Sequence, residues 1–139
     1  MSVQVEKDDY ILTGKIDLLR RTNDGIEILD FKTRPRPDAG SSHLALFKQQ
    51  LYLYAYAMPK KTGQLPQRLF LYWTAESKKE DALMEVPYTE RQVEEVNAHL
   101  DEVATNIGQR NFTIDVLPEA GVCRVCDIRL LCKREGLYK

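Results

Sequence analysis

The chain has 139 residues, with 20 Lys and Arg against 21 Asp and Glu, a formal charge of −1 and 43% apolar residues. That length suits one domain, and the apolar and charged balance excludes intrinsic disorder. No apolar run approaches the ~20 residues that span a bilayer, and the first nine residues lack the apolar stretch of a signal peptide, so the expectation is a cytoplasmic protein with no membrane partner.

Tyr10 to Arg20 reads as one strand, with Ile11, Thr13, Lys15, Asp17 and Leu19 on one side and Leu12, Gly14, Ile16 and Leu18 on the other. Asn23, Asp24 and Gly25 tolerate the positive φ of a tight hairpin, and Ile26 to Lys32 returns as the second strand. Arg34-Pro35-Arg36-Pro37 cannot continue a central strand, because each proline removes a ladder donor; 34–42 is therefore a loop. Leu44, Phe47, Leu51, Tyr54 and Met58 recur every three or four residues, which predicts a helix over 43–58 ended by Pro59. Arg68 to Ala75 is a dense β-type run, and Leu83 to Val86 is a shorter partner for it across a turn at Lys78 to Asp81. Thr89 and Gln92 form a capping-box signature. They open a helix with Val93, Val96, Leu100, Val103 and Ile107 on its apolar face and Gly108 as its stop. The tail, 117–139, reads as a loop with a short basic helix, anchored by Leu130, Leu131 and Leu137 against the sheet. This order predicts an α/β fold with a mixed sheet, and no glycine-rich phosphate loop follows any strand.

Asp30 and Lys32 lie two apart on a strand and share a face, while Leu29 and Phe31 take the other, apolar one. A two-residue loop at Asn23-Asp24 sets Asp17 opposite Asp30. A loop at Asp24-Gly25 sets it opposite Lys32, with Asp30 on the diagonal. A three-residue loop sets it opposite Phe31 and disperses the group, unless a bulge restores the phase. In the first two registers two carboxylates converge and require a cation; hard oxygen ligands without His or Cys favour Mg²⁺ or Mn²⁺. A lysine beside them would orient a water or stabilise an anionic phosphoryl transition state. The competing account is a solvated face carrying a cross-strand salt bridge. Gln50 and Tyr54 are one helical turn apart and share a face. Tyr54 also belongs to the apolar stripe, whereas Gln50 suits a polar contact to a ligand or to Lys32.

Cys123, Cys126 and Cys132 are the only cysteines, and all lie within ten residues. That spacing argues against a disulfide framework and suits Zn²⁺ or an iron–sulfur cluster, each of which takes four ligands. Three reduced structural cysteines are the alternative, and neither His43 nor His99 is an obvious fourth ligand.

Gly14-Lys15-Ile16-Asp17, Ile28-Leu29-Asp30-Phe31-Lys32-Thr33 and Gln50-Leu51-Tyr52-Leu53-Tyr54-Ala55 resemble three successive motifs of the RecB-type nucleases of the PD-(D/E)XK superfamily. Those motifs read GxxD, (I/L)(D/E)xK(T) and QLxxYA, in that order. The resemblance spans about 10–58 and 120–135, and 60–115 agree only as secondary structure. It implies a restriction-endonuclease-like core: a mixed central β-sheet flanked by helices, forming one domain over 1–139 with the cysteine tail at its end. It implies a metal-dependent nuclease that hydrolyses phosphodiester bonds of DNA within a repair or recombination helicase–nuclease, with a helicase domain or subunit as partner.

By the same resemblance, Asp17, Asp30 and the backbone carbonyl of Phe31 bind Mg²⁺ or Mn²⁺. Lys32 positions the attacking water, Gln50 and Tyr54 support the site and contact DNA, and Thr33 orders the strand end. Arg34, Arg36 and Lys48 lie just beyond, where they are expected to contact phosphates without reading sequence. Iron–sulfur members of the family end in a similar C-x₂-C-x₅-C run, which makes Cys123, Cys126 and Cys132 candidate ligands of a [4Fe–4S] cluster. Their fourth cysteine precedes the acidic hairpin, as does a helix carrying a histidine near the metal. This chain shows neither, so the expectation is an N-terminally truncated piece of a larger protein, weak as a nuclease in isolation. The alternatives are a catalytically incomplete DNA-binding or docking module and a zinc-stapled interaction domain.

Overall fold

Val3 and Val5 alternate with polar neighbours along Ser2–Glu6, and this segment is strand β1, its valines buried. The computed structural model describes residues 1–111 and 120–136. β1 pairs antiparallel with β2 (Ile11–Lys15) across a turn closed by the Lys7 N–H on the Tyr10 carbonyl. The single strand expected over Tyr10 to Arg20 is therefore two. β2 belongs to this two-stranded sheet, and β3 (Leu18–Thr22) opens a separate four-stranded one. The break falls at Ile16 and Asp17. Ile16 is fully buried and its N–H donates to the Met1 carbonyl, while the Asp17 carboxylate accepts the Phe31 N–H. The alternation is lost there, so Leu18, expected on the side of Ile16, is exposed.

β4 (Gly25–Lys32) returns with Thr22 opposite Gly25. The connecting loop is the pair Asn23-Asp24, and Gly25 takes a φ of 137° that favours glycine. Leu18 stands opposite Leu29, which is the first of the three registers considered above; the ladder ends there, and Asp17, just before it, reaches the Phe31 N–H with its carboxylate. β4 then runs parallel to β5 (Pro66–Trp73), and β5 pairs antiparallel with β6 (Leu83–Glu85), giving the order β3-β4-β5-β6. Parallel neighbours need a crossover, and α1 (Ser42–Thr62) supplies it.

The Ser41 hydroxyl caps α1 by accepting the Leu44 N–H at 3.1 Å. Pro59 does not end this helix. It lies one turn from the end, where its missing N–H removes a single bond, and its own carbonyl accepts the N–H of Gly63, the left-handed residue that is the true stop. The core lies between α1 and the sheet: Leu51 and Met58 from the helix, and Ile28, Leu69, Leu71 and Trp73 from β4 and β5, are fully buried. The core thus lies on the face of β4 that carries Ile28 and Asp30. Phe31, expected on the apolar face, is 43% exposed on the reverse side, edge-on to Tyr72.

α2 (Lys79–Ala82) occupies part of the turn before β6. Thr89 and Gln92 form both bonds of the capping box at the start of α3 (Glu90–Gly108), which packs on α1. Val93 is buried, but Val103 and Ile107 are exposed, so the apolar stripe is covered only at its beginning. Gly108 is the last helical residue rather than a left-handed stop; the chain turns at Arg110, φ 57°. In the tail, α4 (Ala120–Arg124) and α5 (Arg129–Arg134) are short. The expected anchors Leu130 and Leu131 are exposed, while Leu137 and residues 117–119 lie outside the described residues. No helix of the described residues is long and apolar enough to cross a membrane.

Candidate active site

Strand parity brings Asp30 and Lys32 to the helix-covered face at the C-terminal end of β4. The Asp30 carboxylate is buried, and its Oδ2 lies 2.6 Å from the Lys32 ammonium. Lys32 also donates a hydrogen bond, 2.7 Å, to Oε1 of Gln50 on α1. Gln50 donates through Nε2 to the Tyr54 hydroxyl at 2.8 Å, and that hydroxyl donates to the Lys15 carbonyl at 2.9 Å. One chain of bonds thus runs from Asp30 to the backbone two residues before Asp17. Asp17 is held from the other side, its Oδ2 accepting the Phe31 N–H at 2.9 Å. The five residues singled out in the sequence therefore meet at one end of the sheet.

Gly14 and Phe47 escaped that reading. A Cβ on Gly14 would stand 3.1 Å from Cε1 of Tyr54, so the absent side chain is what lets the tyrosine lie against β2. Its signal was present in the first motif, though not its reason. Phe47 places its ring centroid 4.4 Å from the Lys32 ammonium. Its period-four stripe identified it only as a core residue.

Burial pushes the Asp30 carboxyl above the ordinary carboxylate range; Lys32 opposes this, and the charge of Asp17 adds to the rise. Burial likewise raises the Tyr54 phenol, against the bond from Gln50 and with the two aspartates adding to the rise. Tyr54 therefore remains a neutral donor. Two carboxylates repelling one another at the mouth of a sheet form a hard oxygen donor set that fits Mg²⁺ or Mn²⁺. Buried Oδ2 of Asp30 fits it too: it has no well-directed hydrogen bond, and the Lys32 ammonium offsets its charge. Among the described residues no three His, Cys, Asp or Glu side chains gather around one point, so this donor set stops at two carboxylates.

Arg34 and Arg36 are exposed on the loop after β4. The Arg36 backbone N–H donates to Glu76, and its guanidinium reaches the Asp81 carbonyl at 3.5 Å, which ties this loop to the turn after β5. Lys48 is half-buried, two residues before Gln50. The cysteines are free thiols and do not converge. Cys123 lies in α4, Cys126 in the following turn and Cys132 in α5, and three thiols leave a four-ligand site one short.

No curated protein matches the chain. Residues 1–133 match the PD-(D/E)XK nuclease superfamily, a span that takes in every element building this site. The chain belongs to the PD-(D/E)XK nuclease superfamily, whose nucleases generally use divalent metals.

Proposed function

We propose that this is the nuclease domain of a RecB-type protein, hydrolysing DNA phosphodiesters with Mg²⁺ or Mn²⁺ beside a helicase partner in repair or recombination. The observation that carries the reading is the placement of Lys32. A solvated salt bridge would leave its ammonium free, whereas here the ammonium is held between buried Asp30 and Gln50. Asp17, Asp30 and the Phe31 carbonyl would hold the cation, which when bound polarises the scissile phosphate and lowers the pKa of water. The remaining work falls to side chains. Lys32 stabilises charge that grows on the phosphoryl oxygens and orients the water, and Gln50 keeps Lys32 aimed there. Tyr54 fixes Gln50 through the Lys15 carbonyl. Arg34, Arg36 and Lys48 neutralise phosphates, so affinity should fall steeply with salt.

Incubation of the chain with single- and double-stranded DNA, with Mg²⁺, Mn²⁺ or a chelator, tests the reading. Cleavage that needs the cation and disappears in Asp30→Asn supports it. DNA binding without cleavage under every condition favours the docking module instead. Cys123, Cys126 and Cys132 belong to the same proposal as three of the four ligands that a [4Fe–4S] cluster takes. Anaerobic reconstitution of the chain with iron and sulfide, followed by its visible absorption and iron content, tests that part.

A further inference from the structure

We propose that Phe47 is a positioning residue for Lys32, holding its ammonium through the face of the ring. The Lys32 ammonium forms an ion pair with Asp30 at 2.6 Å and donates a hydrogen bond to Gln50 at 2.7 Å, and the Phe47 ring centroid lies 4.4 Å away. An aromatic face attracts a cation through its quadrupole at such a distance. Phe47 precedes Gln50 by three residues on α1, so one helix presents both an amide oxygen and a ring to the same ammonium.

The ring is itself fixed. Its centroid lies 5.5 Å from that of Trp73, edge to face, and Trp73 is fully buried directly beside Lys32 in the β4–β5 register. Three elements therefore close on one lysine: β4 bears it, α1 grips it, and β5 braces the grip. Phe47 packs against the core through Trp73, but it also reaches beyond it. Leu44, Leu51 and Met58 of the same stripe are buried, whereas Phe47 sits half-buried at the rim, where the lysine is. A leucine there would supply apolar volume without a quadrupole. The consequence for the reaction is orientation: a long, flexible side chain is kept at one angle to the scissile phosphate before the substrate arrives.

The catalytic part of this inference rests on the nuclease reading of Lys32; the grip itself does not. The test replaces Phe47 in the full chain with phenylalanines carrying one to five ring fluorines, which drain the quadrupole at nearly constant shape. Tyr, Trp and Leu variants accompany the series. Three quantities are read: protection of Lys32 from acetic anhydride, single-turnover kcat separated from KM, and Tm. Loss of a cation–π contact predicts a graded fall in both protection and kcat, about 2- to 30-fold across the series, with KM and Tm nearly unchanged. Tyr and Trp should retain function and Leu should not. A series flat in both protection and kcat overturns the role of Phe47 and leaves the nuclease reading intact. Graded protection in a chain whose unsubstituted form never cleaves DNA overturns the catalytic role of Lys32, and that of Phe47 with it.

Discussion

The Tyr54 ring rests against the backbone of Gly14, so closely that a methyl at position 14 would meet Cε1 at 3.1 Å. Tyr54 cannot yield freely, because its hydroxyl is bonded at once to Gln50 and to the Lys15 carbonyl. Gly14→Ala should therefore cost about 1–3 kcal/mol as overpacking and shift Gln50 away from Lys32. Thermal unfolding and single-turnover cleavage check it. A variant as stable and as active as the parent would show that the ring has room to move.

Lys32→Ala removes a preorganised charge from the site. Cleavage should fall about 10²–10³-fold, while DNA affinity should change little. Parallel rate and binding titrations decide this. Undiminished cleavage would reduce Lys32 to the structural partner of Asp30.

Asp30 gives the metal-free protein a pH dependence of definite sign. Its pKa is raised in the fold, chiefly by burial. Its contribution to stability is therefore complete below the ordinary carboxylate value and is lost as pH rises through the raised value. In chelator, the wild type should lose stability relative to Asp30→Asn across that window. A divalent cation needs the ionised form, so added Mn²⁺ should stabilise the wild type increasingly with pH and leave Asp30→Asn unmoved. Identical pH profiles of the two proteins in chelator would contradict the assignment.

On the reverse face of the sheet, Glu27 is buried between Arg20 of β3 and Arg68 of β5. Burial pushes its carboxyl up, but the two guanidiniums override this and hold it below the ordinary range. The two arginine side chains are themselves 56% and 42% exposed, so the triad is asymmetric. Arg20→Ala with Arg68→Ala removes both counter-charges and should destabilise the fold, by less than a fully interior pair would because water can reach the vacated positions. Glu27→Gln leaves two cations that water can solvate and should cost less. Denaturant titration of both variants measures the order, and the reverse order would refute the argument.

The site was legible because its rules are local. Strand parity aligned Asp30 with Lys32, and the helical period aligned Gln50 with Tyr54. The turn residues Asn23 and Asp24 limited the position of Asp17 to a few registers, of which the hydrogen bonding selected one. What escaped depended on neighbours distant in sequence. β1 shows only two apolar residues, Val3 and Val5, and becomes a strand because β2 and α1 cover them. The break at Ile16 requires knowledge that Asp17 will bond the backbone of β4. Phe47 resembles any core residue until Lys32 is placed beside it. The register of tail and cysteines has no such local rule, since three ligands do not define a closed coordination shell.

Every side chain of the site, from Asp17 to Tyr54, comes from one uninterrupted stretch: a hairpin and the helix that follows it. Only short loops must close to assemble it, so the entropy of bringing these groups together is small, and this stretch together with β5 should resist hydrogen exchange as one cooperative unit. Cutting the chain at the exposed Gly63-Gln64 turn and rejoining it elsewhere would leave the chemistry on a single fragment.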